Sequence, residues 1–519
     1  VNAVTAVPGG GVLIENVYVA PVVGPEIESG YIRIQGDRIT AVGPMTDLAD
    51  RTDRRDPTGA LGQKRSDPSD PSDQSDRAAR PGAGGAAGPG GVVRIDGTGC
   101  LATPGLVNTH HHLYQWASQG LAQNATLFEW LVASYEVWAA MDAEVVRDAA
   151  SAGLGHLVLS GCTTSSDHHY LFPKGRGDLF AAGIEAAREL GVRFQPARGS
   201  MDRGTSRGGL PPDVVVERLD EILDATAEAI DAYHDPSFSS KLRVAVAPCS
   251  PFSVSAGLMT KAAELARDKG VRLHTHLAET MDEEELCLEQ EGMRPVDYME
   301  KLGWLGPDVW FAHTVHLSDS DIDRFAATGT GSAHCPSSNG RLGAGIARVS
   351  EMLRRGANVG LGVDGAASSE LTTLSGEMRQ ALLFQRASYG PTALNARQAL
   401  ELATLGGARN LGRQDELGSL EPGKLADIAL WRVDEPFASA VTDPVCALVF
   451  ATRQPPLARL LVGGETLVED DELRTVAQDT VGRAGARAHR RLMRLAGERG
   501  LGAAAEPTSD RPEAAEAGM

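Results

Sequence analysis

The sequence predicts an α/β protein, a (β/α)8 TIM-type barrel with a small β-sandwich domain built from both ends of the chain. Three observations carry this. From Cys100 to about Gly412 short strand-like runs alternate with helical patterns, the order that parallel strands with crossover helices impose. Strand character without intervening helices occurs at both chain ends, in residues 11–43 and again in 427–468. Residues able to bind a metal or move a proton fall just after several of the middle strands, where barrels of this kind keep their chemistry.

Taken in order, Val12-Leu13-Ile14 and Val17-Tyr18-Val19 flank Glu15-Asn16, and Tyr31-Ile32-Arg33-Ile34 and Ile39-Thr40-Ala41-Val42 flank the turn Gly36-Asp37. From 46 to 91 apolar periodicity vanishes and a Ser-Asp-Pro repeat runs into a Gly/Ala stretch. Such a segment buries too little apolar surface to offset its ordering entropy, so it is expected to be a disordered insertion. Strand character returns at Val92-Val93-Arg94-Ile95. The expected parts are therefore 1–45 with 92–100 (β domain), 101–412 (barrel), 413–474 (return to the β domain) and 475–519 (tail). Barrel strands are expected at Val192-Arg193-Phe194, Leu242-Arg243-Val244-Ala245-Val246, Val271-Arg272-Leu273, Val309-Trp310-Phe311 and Val359-Gly360-Leu361-Gly362-Val363. Helices are expected over 214–233, 258–269 and 319–328. The returning strands are Asp427-Ile428-Ala429-Leu430-Trp431 and 458–468, the latter turning at Gly463-Gly464. The tail holds a basic helical stretch over 483–494 and then an Ala/Glu/Pro-rich end expected to fray.

A chain of 519 residues with a formal charge of −20 is a poor partner for nucleic acid or an anionic membrane, either of which asks for a basic face. The six cysteines are scattered with no C-x-x-C pair, which points to reduced thiols in a cytoplasmic protein. The N-terminal end lacks the basic-then-apolar pattern of a signal peptide, and no apolar run reaches membrane-spanning length.

The chemistry begins at Asn108-Thr109-His110-His111-His112. Alternate residues of a strand share a face, so His110 and His112 point together and His111 points away. Alone, the cluster reads more readily as structural than as a metal site. Downstream strand ends change the balance: His274-Thr275-His276-Leu277-Ala278-Glu279, then Ala312-His313, then Val363-Asp364-Gly365. His110, His112 and one further histidine, with Asp364, make a nitrogen-rich site suited to one Zn2+ or Fe2+. Such a site brings water to a pKa near ~7. Asp364 is placed to take its proton, Glu279 to shuttle a proton to the substrate, and His313 to polarise a developing oxyanion or add a ligand.

Together these residues resemble the amidohydrolase superfamily, in its deaminase/chlorohydrolase branch with one metal ion. The resemblance rests on Pro104-Gly105-Leu106-Val107-Asn108-Thr109-His110-His111-His112, His276-Leu277-Ala278-Glu279, Ala312-His313, His334-Cys335-Pro336-Ser337-Ser338-Asn339 and Gly362-Val363-Asp364-Gly365. The stretch from Gly418 to Asp427 looks like the family's return to its β domain. The resemblance implies metal ligands His110, His112, His276 and Asp364, with Glu279 as proton shuttle and His313 near the attacked carbon. It leaves His274 and His316 as structural or supporting residues. Within the branch, His112-Leu113-Tyr114-Gln115, the run from Thr164 to Tyr170, Arg198-Gly199-Ser200-Met201 and the run from Pro248 to Ser255 are similar to 8-oxoguanine deaminases and their hydroxyatrazine-hydrolase relatives.

That similarity implies deamination of an oxidised purine, 8-oxoguanine to urate and ammonia, with an s-triazine, guanine or isocytosine as the alternatives and a non-catalytic relative as the remote one. The implied partners are a small heterocyclic substrate and further copies of the chain. Gln115 offers donor and acceptor to a purine edge, Arg198 could fork onto a ring carbonyl, and Trp130 could stack on the ring. Trp130 could equally be helix packing, and Arg198 could serve a structural carboxylate. Cys249 stands where related adenosine deaminases carry histidine, which favours an oxo-substituted ring. His168 and His169 carry no assignment. Two stretches depart from close relatives: Ala366-Ala367-Ser368-Ser369-Glu370 in place of Ser-Ala-Ser-Asn-Asp, and Asn339-Gly340-Arg341 in place of Asn-Met-Arg. Both bear on the substrate and leave the hydrolytic residues intact.

Overall fold

A computed structural model describes residues 11–48, 91–370, 373–434 and 440–499. Most of the insertion, residues 49–90, and the chain end from 500 lie outside them.

The first sheet is made from both chain ends. Its N-terminal strands are β1 (Gly11–Val19), β2 (Ile27–Gln35), β3 (Arg38–Pro44), β4 (Val93–Asp96) and β5 (Cys100–Pro104). The two runs expected on either side of Glu15-Asn16 are one strand. Asn16 takes a left-handed φ of 56° and the pairing with β2 slips there, so the strand bulges instead of turning. The bulge divides β1 between partners, β4 beside residues 12–15 and β5 beside residues 18–19. Ile14, Val17, Ile32, Ile34, Ile95, Ile428 and Leu430 form a core of their own inside this sheet. The chain stays in the sheet through Pro104, four residues beyond the boundary expected at 100.

The second sheet is the barrel. Its eight parallel strands are β6 (Leu106–Asn108), β7 (Cys162–His169), β8 (Arg193–Ser200), β9 (Ala245–Pro248), β10 (Arg272–Leu277), β11 (Val309–His313), β12 (Gly331–His334) and β13 (Asn358–Leu361), paired in sequence order. The ends of the row meet where Thr109 N donates to Leu361 O at 3.0 Å and Asp364 N to His110 O at 3.1 Å. Val107, Ala197, Ala245, Ala247, Trp310 and Ala333 fill the interior. Strand alternation then fixes which neighbours point inward.

Two elements begin later than expected. The helix foreseen over 214–233 begins at Leu219, after a short turn at Asp213–Val215. The strand foreseen from Leu242 begins at Ala245, Leu242 making only a single bridge to Phe194. The helix Asp319–Thr328 matches its expected span.

The chain then returns to the first sheet through β14 (Ile428–Arg432), β15 (Leu457–Val462), β16 (Glu465–Glu469) and β17 (Glu472–Leu473), β14 lying antiparallel to β5. A buried ion pair joins the two units, Arg193 Nε and Nη2 donating to Asp427 Oδ2 and Oδ1 at 2.8 and 3.0 Å. The tail helix, Gln478–Glu498, packs Val481, Ala488 and Leu492 against the barrel. His489 Nδ1 donates to Ala117 O at 2.9 Å, bracing the turn Leu113–Ser118 that follows the histidine run. All six cysteines are free thiols. No helix of the described residues is long and apolar enough to cross a membrane.

Candidate metal centre and cavity

Every histidine of the centre has one ring nitrogen committed by a group whose role is fixed. A carbonyl oxygen can only accept, so the nitrogen facing it carries the proton. His112 Nδ1 donates to His168 O and His276 Nδ1 to Cys249 O, both at 2.6 Å. Burial pushes the His112 ring down to about 3 and His276 well below the ordinary imidazole value, so both are neutral. Their Nε2 atoms therefore hold lone pairs, and these face each other at 3.1 Å. His110 is oriented by a relay. His274 Nδ1 donates to Trp310 O at 2.8 Å, which leaves His274 Nε2 to accept from His110 Nδ1, also at 2.8 Å. His110 Nε2 is buried without a hydrogen-bond partner.

Asp364 Oδ1 lies 3.5 Å from His110 Nε2 and 3.4 Å from His112 Nε2. Burial opposes the charge of Asp364. The adjoining His110 foremost, then His112 and His313, outweigh burial and hold the carboxyl well below the usual range. Ser338 Oγ and Gly365 N donate to its two oxygens at 2.6 and 2.7 Å. Three imidazole lone pairs and a carboxylate converging without a proton among them repel one another unless a cation sits between them. The donor set thus fits a divalent metal of zinc-like preference. His168 adds a fourth nitrogen within 4.8 Å of those of His110, His112 and His276, its ring stacked on His276. Sequence left His168 unassigned because adjacent histidines on a strand look alike until one knows which faces inward. His111 accepts from His112 N through Nδ1 and packs beside Gly153, away from the centre.

Glu279 and His313 stand above the cluster, Glu279 Oε2 3.5 Å from His313 Nε2. Burial raises the Glu279 carboxyl well above its ordinary value, and the charges of Asp364 and Glu283 add to this. Burial lowers His313 to about 4, and its Nδ1 donates to Asn339 Oδ1 at 3.0 Å. Ala278, His313 and Asp364 all adopt left-handed backbone, with φ of 52°, 71° and 58°. Strain of this sort persists only where surrounding contacts over-determine it, and it gathers at working sites.

The cavity beside them, about 360 Å³ counting the space open to solvent, is lined by Gln115, Trp130, Tyr170, Cys249 and Phe252 together with His276, Glu279, His313 and Asp364. Gln115 Oε1 and Trp130 Nε1 are buried without partners. One is an acceptor, the other a donor. Arg198, expected on the substrate, is elsewhere. It pairs with Glu217 through two bonds of 2.9 and 3.1 Å, donates to Gly199 O and lies over the Phe172 ring. The reason is alternation along β8: Ala197 points into the barrel, so its neighbour points out. Arg198→Met should leave KM within about two-fold and cost ~3 kcal/mol in denaturant unfolding, the usual loss when one partner of a buried pair is removed. A large KM effect with unchanged stability would return Arg198 to the substrate.

Two residues that the sequence reading passed over complete the surroundings. Ser338 buttresses Asp364. Glu283 holds the turn that carries Glu279, its oxygens accepting from Ala278 N and Glu279 N at 2.9 Å each. The two stretches that depart from relatives meet at the rim, where Arg341 pairs with Glu370 at 3.2 Å. Glu370 also accepts from Gly120 N, and Arg341 donates to Leu121 O.

Residues 101–467 match the model of the amidohydrolase family. The chain belongs to the amidohydrolase family. Among relatives of this amidohydrolase, the 8-oxoguanine deaminase of Pseudomonas aeruginosa is 45% identical over 73% of the chain and 84% of its own length. Hydroxydechloroatrazine ethylaminohydrolase of a Pseudomonas species is 34% identical over 78% and 85%. The zinc-complexed atrazine chlorohydrolase of Arthrobacter aurescens superposes with a TM-score of 0.80 at 33% identity, over 92% of this chain and 100% of that one. The amidohydrolase is thus an enzyme of the deaminase/chlorohydrolase branch, a hydrolase acting on carbon–nitrogen bonds.

Proposed function

We propose that this amidohydrolase deaminates an oxidised purine, 8-oxoguanine plus water giving urate and ammonia. The observation that carries the chemistry is the buried Glu279 carboxyl, pushed toward its neutral form by burial, facing a four-donor cluster across the cavity. The choice of ring follows from the 45% identity to an 8-oxoguanine deaminase. It is supported by Cys249 in the wall and by the unpartnered Gln115 acceptor and Trp130 donor, which match the alternating groups on a purine edge.

His110, His112, His276 and Asp364 would hold one divalent cation, and we assign Zn2+. Such a cation acidifies water and so supplies the nucleophile at neutral pH. The remaining work belongs to side chains. Glu279 gives its proton to the ring nitrogen beside the amino-bearing carbon, making that carbon electrophilic. Asp364, held as a carboxylate, takes the proton of the attacking water. His313, whose Nδ1 donates to Asn339, presents the lone pair of Nε2 and accepts a hydrogen bond from the water whose oxygen adds to the carbon. The proton returned to the departing nitrogen lets ammonia leave as the new carbonyl forms. Leu127, Leu131 and Phe252 close the apolar side of the cavity, which favours a free base over a nucleoside and keeps bulk water out.

An ammonia-release screen of 8-oxoguanine, guanine, isocytosine, isoxanthopterin and hydroxyatrazine tests the assignment. The expected result is a kcat/KM for 8-oxoguanine at least tenfold above the rest, about 1.4 kcal/mol of discrimination. Preference for a triazine would overturn the substrate and leave the proton transfers standing. Inactivity toward every amino-heterocycle, with metal bound, would overturn the deaminase reading.

A further inference from the structure

We propose that Glu283 is a positioning residue for proton transfer: its carboxylate clamps the backbone of Ala278 and Glu279 in the turn that aims the Glu279 carboxyl into the cavity. The inference rests on the reading of Glu279 as the proton shuttle.

In sequence, Thr280-Met281-Asp282-Glu283 has the spacing of a helix capping box, in which the fourth residue bonds back to the amide of the first. Here half of that box is made. Thr280 Oγ1 accepts from Glu283 N at 3.4 Å at the start of the helix Met281–Glu291. The Glu283 carboxylate reaches past Thr280 to the two preceding amides, one oxygen to each, at 2.9 Å. It does so at 0% exposure. A fully buried carboxylate spent on two backbone N–H groups is costly unless the geometry it enforces is needed elsewhere.

What it enforces is specific. Ala278 sits at φ 52°, a conformation disfavoured for any residue with a Cβ by roughly 1 kcal/mol. The loop after β11 takes up the carbonyls of the same turn: Thr314 N donates to Leu277 O at 3.1 Å and His316 N to Ala278 O at 3.0 Å. Carbonyls are thus tied to the segment after β11, and amides to Glu283. That segment continues directly from His313, the last residue of β11. Glu279 and His313 are therefore held in register by one hydrogen-bonded turn, and only the Glu283 side of it depends on a side chain.

The test is a double-mutant cycle on the metal-loaded enzyme. Glu283→Gln keeps the volume but can accept only one of the two N–H groups and turns a donor toward the other. We expect kcat to fall 10- to 100-fold, the usual penalty of a misplaced catalytic group, with KM within three-fold and metal content unchanged. In a Glu279→Gln background the same change should cost less than three-fold, because a residue acting through Glu279 has nothing left to position. If Glu283→Gln does not accumulate as folded protein, Glu283→Asp, which keeps the charge and shortens the reach, is read in the same cycle. A kcat within two-fold of wild type, or losses that multiply in the double variant, overturns the clamp. If Glu279→Gln itself keeps normal turnover, it is the shuttle assignment that fails.

Discussion

Glu279→Gln slows ammonia release by on the order of 10³-fold while the protein keeps its metal and its fold. Gln has the shape of Glu and none of its proton. Glu279 lies against His313 and is not one of the four residues assigned to the metal, so metal content, measured by elemental analysis, should match wild type. The wild-type rate should also fall on the alkaline side. Burial raises the Glu279 carboxyl, which is protonated below its shifted value and loses its proton only above it. The variant lacks that alkaline limb. Near-normal turnover in the variant would remove Glu279 from the mechanism.

Removing the metal with a chelator abolishes turnover, and one equivalent of Zn2+ restores it. Thermal unfolding reports the same event independently of activity. Binding at a free concentration 100-fold above Kd stabilises the folded state by about 2.7 kcal/mol, so reloading raises Tm measurably. His110→Ala should fail to recover, since it deletes a ligand and leaves His274 Nε2 without its donor. His274→Phe tests the relay behind it. Phe can still pack on Trp310, against which the His274 ring stacks at 4.4 Å, but it cannot orient His110. Metal affinity should then drop by roughly 10- to 100-fold, the usual cost of losing such an orienting partner. Full activity of the stripped protein would sink the metal reading.

How much of this was legible in the sequence depends on the period of each signal. The barrel was legible because β-then-α alternation repeats many times, and an error at one strand does not disturb the others. The convergence of His110, His112, His276 and Asp364 was legible because all four lie within four residues of a strand end, where barrel topology forces them together. Arg198 was misread because motif similarity says nothing about facing, although the small Ala197 beside it marks the inward position. Glu283 was missed for a different reason. Its spacing from Thr280 is that of an ordinary helix start, and nothing local in the residues marks that the carboxylate reaches past Thr280 to the amides of Glu279 and Ala278. The bulge at Asn16 was read as a break between two short strands, since a polar pair interrupts the apolar run in either case.

One surface detail bears on engineering. Leu48 and Val92 pack on the same small cluster, against Leu13 and Tyr31. The chain therefore leaves the β domain before residue 49 and re-enters after residue 90 at a single spot, on a sheet whose strands β3 and β4 carry none of the residues that line the cavity. With the ends pinned together, each doubling of the intervening length costs only about 0.6 kcal/mol in closure entropy. This makes the junction a permissive graft point, where a short Gly/Ser bridge, an affinity tag or a reporter domain can replace the native segment while the barrel mouth is left untouched.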